Sequence, residues 1–166
     1  AVSYKVPSRF SAQRVDPKGA NTKRRSMSIF SLFGKTVLVT GASSGFGHHF
    51  AGVLGRAGAR VVLGARRVDK IQARVDELSA AGHEVLGLPL DVRDVDSAKN
   101  FLTGAVEAFG GIDVLINNAG VEAGAKTYTM IDDEDWDYVF DTNLKAAWRL
   151  SKFYTQYRAQ QGGPGM

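Results

Sequence analysis

Three features of the sequence predict an α/β fold built on a doubly wound parallel sheet. Short β-branched apolar runs alternate with segments of helical periodicity, the connections between them are short, and a glycine-rich turn joins the first run to the first helix. Strictly alternating strand and helix units imply parallel strands joined by right-handed crossovers.

Residues 35–40, Lys35-Thr36-Val37-Leu38-Val39-Thr40, form the first strand. Residues 46–57 follow as a helix, with Phe46, Phe50, Val53, Leu54 and Ala57 at helical spacing and Gly58 as its end. Residues 60–63 make the second strand. Residues 68–81 make the second helix, with Val68, Ile71, Val75 and Leu78 on one face and Gly82 behind them. A third strand spans 84–88. The third helix, 94–109, turns Val95, Ala98, Phe101, Leu102, Ala105 and Val106 inward and stops at Gly110-Gly111. Residues 112–116 form the fourth strand. The looser segment 121–130 leads to the acidic run Asp132, Asp133, Glu134, Asp135, which suits the positive end of a helix dipole. That last helix is expected to run from 133 to 158, with Gly162-Gly163-Pro164-Gly165 breaking it.

A chain of 166 residues with 44% apolar content can bury one real core. No stretch approaches the roughly 18 consecutive apolar residues that span a bilayer. The absence of cysteine excludes disulfides and thiolate metal sites, and is compatible with a reducing compartment. The formal charge of +4 is unevenly placed. Residues 1–26 hold seven Lys/Arg against Asp16 alone, leaving 14 of the 21 basic and 16 of the 17 acidic side chains for the rest. The folded part is mildly acidic. The basic segment has three readings: an organelle transit peptide, a contact with an anionic surface, or a disordered leader ahead of a start at Met27. It lacks the periodic apolar face of a transit helix, which favours the leader. The expected division is a basic, disordered tail over 1–31 and a folded domain over 32–166.

The turn Thr40-Gly41-Ala42-Ser43-Ser44-Gly45-Phe46-Gly47 offers backbone N–H groups at a helix N-terminus, where a diphosphate is favoured. Gly41 allows the tight turn, Gly45 lets phosphates approach the backbone, and Gly47 permits helix and strand to pack closely. A helix cap rich in small residues would look similar; the position between strand and helix favours the binding reading. The end of the second strand bears on which dinucleotide. A carboxylate there, about 20 residues after the turn, would accept from a ribose 2′-OH. This sequence has Ala65, then Arg66 and Arg67, and a guanidinium can pair bidentately with a 2′-phosphate. NADP is therefore favoured over NAD; the alternative is that one or both arginines are simply solvated. Asp91, at the end of the third strand, could accept from an adenine amino group with Val92 packing on the ring, or could cap the next helix. Asn117-Asn118-Ala119-Gly120 could fasten neighbouring strands and leave room for a ribose, or be an ordinary turn.

Taken with Asn143-Leu144-Lys145, these segments resemble the classical short-chain dehydrogenase/reductase family over residues 32–166. The resemblance implies that this domain is an incomplete NAD(P)-binding Rossmann domain, with a Rossmann-like sheet truncated after about four strands. It also implies that Gly41, Ser43, Gly45, Phe46 and Gly47 line the pyrophosphate and ribose, and that Asp91 and Val92 hold adenine. Asn117, Ala119 and Gly120 would sit beside the nicotinamide ribose. Arg66 matches the arginine of NADP-preferring members, and Asn143 the active-site asparagine that positions a water in the proton relay.

The family's chemistry further needs a serine, a tyrosine that passes the proton, and a lysine four residues after it. None is identifiable here. Tyr128 is followed at that offset by Asp132, Tyr138 by Thr142 and Tyr157 by Gln161; only Tyr154 has a basic partner, Arg158. Tyr154 lies on the helix that carries Asn143, about 16 Å further along its axis, so it is read as a packing or surface residue. Ser151-Lys152 belongs to the same helix. His48 and His49 are adjacent, point about 100° apart on a helix and cannot chelate together; no metal site is expected. Trp136 and Trp148 are expected to be packing anchors, and the family resemblance implies a place for Trp148 in a subunit interface.

The resulting expectation is the cofactor-binding portion of an NADP-dependent oxidoreductase interconverting an alcohol and a carbonyl compound, inactive by itself and homo-oligomeric when complete. The alternative is an inactive NADP-binding module, or an interaction fragment that docks on full-length subunits through an exposed apolar edge at its fourth strand. No membrane partner is expected, nucleic acid is disfavoured, and the location is cytoplasmic unless the basic tail targets an organelle.

Overall fold

The computed structural model describes residues 29–161. The basic segment 1–28, with Met27, and the glycine-proline stop at 162–165 lie outside the described residues. Four strands, β1 (Thr36–Thr40), β2 (Arg60–Ala65), β3 (Val85–Pro89) and β4 (Val114–Ile116), form one sheet in the order β3-β2-β1-β4. Every pairing is parallel, with Leu38 opposite Val62 on one side and Leu115 on the other. The chain therefore builds outward from β1 to β3, then crosses back to lay β4 against the other side of β1. That reversal opens a crevice at the carboxyl ends of β1 and β4, where open α/β sheets bind ligands.

Side-chain alternation splits the core into two layers. Val37, Val39, Val61 and Leu63 pack with Ala51 of α1 (Gly45–Arg56) and with Ile71 and Leu78 of α2 (Val68–Ala80). Leu38, Val62, Leu86 and Leu88 pack instead with Phe101, Leu102 and Ala105 of α3 (Val95–Phe109), and with Leu150 of α5 (Ala146–Gln160). Phe101 is the largest fully buried side chain, and such burial contributes roughly 1.5–3 kcal/mol. A sheet covered on both faces reads as continuous apolar runs, which is why the strands were legible.

The helices agree with the predicted order, but several of the apolar residues at helical spacing are exposed, among them Val95, which was expected to face inward. On α1 the buried residues are Gly47, Ala51, Gly52 and Gly55, whereas Phe46 is 77% exposed and Val53 is also exposed. The helix seats its small residues on the sheet, packs Leu54 at the edge of that layer and turns Phe46 and Val53 out. Val68 and Val95 are exposed as well; each is the first residue of its helix, beyond the reach of the core. The acidic run starts α4 (Asp133–Phe140) through a capping box between Asp132 and Asp135. The helix then passes through a π turn, Asp141–Lys145, directly into α5.

Trp136 and Trp148 are 55% and 59% exposed, so neither is a packing anchor. Trp136 stacks on Phe140 with ring centroids 4.1 Å apart, and Lys152 lies over the Trp148 ring at 5.3 Å. Among the described residues β4 is an edge strand, with Val114 exposed. No helix of the described residues is long and apolar enough to cross a membrane, and no group of them could hold a metal ion.

Candidate functional site

The glycine turn leaves β1 at the crevice. Gly41 has φ +68°, and a Cβ there would lie 2.7 Å from the Cα of Ala119, so this residue must be glycine on both counts. A Cβ at Gly47 would lie 2.5 Å from Nδ2 of Asn118 and 2.7 Å from the Gly41 carbonyl. Gly45, by contrast, has φ +56° and open space where a side chain would stand. The turn is thus closed against β4 and open toward solvent.

Asn118 is what closes it. Its Nδ2 donates to the carbonyl of Thr40 at 2.8 Å, and its backbone N–H donates to Oγ1 of Thr40 at 3.0 Å. Ala119 N–H donates to the same hydroxyl at 3.0 Å. These bonds clamp the ends of β1 and β4 together past the last ladder pair, the fastening expected of the paired amides. Asn117 takes no part; exposed, it donates to Oγ of Ser151 on α5 at 3.0 Å.

A cleft of about 540 Å³ opens between these strand ends. Gly41, Ser43, Ser44 and Phe46 form one wall, and Ala65, Arg66 and Arg67 a second. Leu90, Asp91, Val92 and Arg93 form a third, with 118–121 and Thr142 completing it. Of the predicted residues, Gly45, Gly47, Asn117 and Asn143 stand outside these walls.

The charged groups differ in how far they are engaged. Asp91 accepts from the backbone N–H of Arg93 at 3.0 Å and pairs with its guanidinium at 3.7 Å. It does not cap α3; Asp94 does, accepting from Ser97 N–H at 2.5 Å. Arg67 donates through Nε and a terminal nitrogen to Oγ of Ser43, at 3.2 and 2.9 Å, and through that nitrogen to Oγ of Ser44 at 2.7 Å. Arg66 makes no hydrogen bond or ion pair with the described residues. The family resemblance singles out Arg66; that Arg67 binds the two serines of the glycine turn is not visible in the sequence.

Asn143 lies in the π turn. Its Oδ1 accepts from Val121 N–H and its Nδ2 donates to the Val121 carbonyl, both at 2.8 Å. One side chain thereby pairs with the backbone of the loop after Gly120 like an extra strand residue. π turns concentrate at functional sites, and this one carries Thr142 to the cleft. Tyr154 is elsewhere. Its hydroxyl donates to the carbonyl of Asp113 at 2.5 Å, and Arg158 donates to that of Ile112 at 3.3 Å. Both hold the start of β4, the end away from the cleft. Burial there raises the Asp113 carboxyl pKa, but the Thr36 N–H at 2.9 Å and the Lys35 ammonium at 3.2 Å outweigh it and leave the pKa lowered.

A glycine turn at the switch point of a doubly wound sheet, with a cationic cleft beside it, defines a Rossmann-like nucleotide-binding fold. The family model described as short chain dehydrogenase matches residues 35–164, and the chain belongs to that family. It is similar to the oxidoreductase UcpA of Salmonella typhimurium, 40% identical over 121 residues that cover 73% of this chain and 45% of that protein. A short-chain type dehydrogenase/reductase from Mycobacterium marinum superposes with TM-score 0.77 at 31% identity, over 82% of this chain and 55% of that one. An actinorhodin polyketide ketoreductase solved with NADPH gives 0.73 at 36% identity, over 79% and 50%. The chain spans about half the length of the curated relatives it matches.

Proposed function

We propose that the chain supplies the NADP-binding half of an oxidoreductase that interconverts an alcohol and a carbonyl compound. One observation carries the choice of cofactor. At the end of β2, Ala65 replaces the carboxylate that would accept from a ribose 2′-OH, and Arg66 stands beside it in the cleft wall without a partner among the described residues. A free guanidinium with no carboxylate nearby on its own strand favours a 2′-phosphate. The actinorhodin ketoreductase, solved with NADPH, supports the same choice.

The other residues fit a dinucleotide in the order of the cleft. Gly41, Ser43, Gly45, Phe46 and Gly47 would meet the pyrophosphate and adenosine ribose, with the open face of Gly45 admitting the phosphates. Asp91 and Val92 would hold adenine, and Asn117, Ala119 and Gly120 the second ribose. Nicotinamide supplies a hydride donor or acceptor when bound. Asn143 uses one proton and one lone pair on Val121, which leaves one of each to order a water for proton transfer. Residues 32–166 act as one domain in this reading, and the exposed Trp136, Phe140, Leu144 and Trp148 would lie between subunits of a homo-oligomer.

A second reading is a binding module without turnover, for which the cleft alone would suffice. The test is NADPH consumption by the full-length protein with aldehydes and ketones of graded size. Carbonyl-dependent oxidation of NADPH, slower with NADH, is expected. Tight NADPH binding without any oxidation would favour the module, and absence of nucleotide binding would overturn both.

A further inference from the structure

We infer that Arg67 is a specificity-determining positioning residue: by holding the hydroxyls of Ser43 and Ser44 it turns them into outward donors for the 2′-phosphate of NADP. The inference rests on the cofactor reading above and goes beyond it, since that reading rests on Arg66.

A serine hydroxyl has one proton to donate and two lone pairs to accept with. Arg67 spends donors on the lone pairs. Two of its nitrogens converge on Ser43 Oγ, at 3.2 and 2.9 Å, and one of these also reaches Ser44 Oγ at 2.7 Å. With Ser43's acceptor capacity taken up by one guanidinium edge, its remaining capacity is its own O–H. Neither hydroxyl donates to any described residue, and both serines line the cleft beside Arg66. A hydroxyl polarised by a cation is also a better donor. The cluster therefore presents two oriented O–H groups and one unpaired guanidinium to a single place. What it fits is a group made of acceptors with negative charge, a phosphate monoester; a ribose hydroxyl could accept from one of these donors but brings no charge for the guanidinium.

This separates two functions that adjacent arginines could share. Arg66 contributes charge to the ligand directly. Arg67 acts through the serines, and that action depends on its planar fork, which reaches two oxygens at once; a lysine ammonium at the same position carries the charge without the fork.

The test is calorimetric titration of the full-length protein and of Arg67→Lys, Arg67→Ala, Ser44→Ala and the Arg67→Ala/Ser44→Ala pair with NADPH and NADH. Wild type prefers NADPH if the cofactor reading holds; a preference for NADH, or no binding, overturns that reading and this inference together. Given that preference, Arg67→Ala and Arg67→Lys are each expected to lower NADPH affinity about tenfold, the scale of a hydrogen bond to a charged group, with NADH within about twofold. The double variant should lose little more than Arg67→Ala alone, because both remove one unit. A merely structural role would weaken both nucleotides equally and leave their ratio unchanged, which overturns the inference while the cofactor reading stands. Full recovery in Arg67→Lys would also overturn it, since charge without the fork would then suffice.

Discussion

Arg66 and Arg67 leave the end of β2 with different neighbours, one without a partner among the described residues and the other bound to two serines. Replacing Arg66 by Glu places a carboxylate where the phosphate is expected. NADPH affinity should fall about 100-fold by equilibrium titration while NADH changes little, the upper range for charged hydrogen bonds. Tyr154 supports a prediction of the opposite kind. Tyr154→Phe removes the bond to the Asp113 carbonyl and should cost about 0.5–1.5 kcal/mol in urea unfolding, with nucleotide affinity unchanged. A loss of affinity would mean that this tyrosine has a role in the site. The Asp113 carboxyl joins the starts of β1 and β4 through Thr36 N–H and Lys35. Its pKa is lowered in the folded protein, so its contribution is fully present above the ordinary carboxylate value and is lost as pH falls through the lowered one. Asp113→Asn should therefore cost about 1–2 kcal/mol near neutral pH, and wild type and variant should converge in acid. A constant difference down to acid pH would contradict the assignment.

The element that fixes the site is the turn between β1 and α1, and its fit is steric. Gly47→Ala would press a methyl group against Asn118 and the Gly41 carbonyl. It should destabilise the fold by about 1–3 kcal/mol, the usual cost of overpacking, and thermal unfolding read beside NADPH titration would show both losses. The strands and helices were legible to within about two residues because a buried parallel sheet writes itself as β-branched runs. Their inner faces were less so. Periodicity weights large apolar side chains, whereas α1 buries Gly47, Ala51, Gly52 and Gly55 and leaves Phe46 and Val53 exposed. Nothing in the residues 141–145 marks a π turn, because it differs from its neighbours only in which carbonyl each N–H finds. The hold of Arg67 on the two serines was hidden for a related reason: it depends on a turn and a strand end that are some 20 residues apart.

Across the whole molecule, two of the apolar features exposed among the described residues bear on the proposed assembly. One is the β4 edge at Val114, and the other is the row of Trp136, Phe140, Leu144 and Trp148 along α4, the π turn and α5. The row was foreseen only in part, since an aromatic residue at helical spacing looks the same facing a core or a partner subunit. The central claim concerns the cleft. It is tested most directly by titrating the full-length protein with NADPH and NADH, at low and at raised ionic strength. Binding at least tenfold tighter for NADPH, with the gap narrowing as salt screens exposed charges beyond about 10 Å, is the result the account predicts. Equal affinities, or tighter binding of NADH, would contradict it.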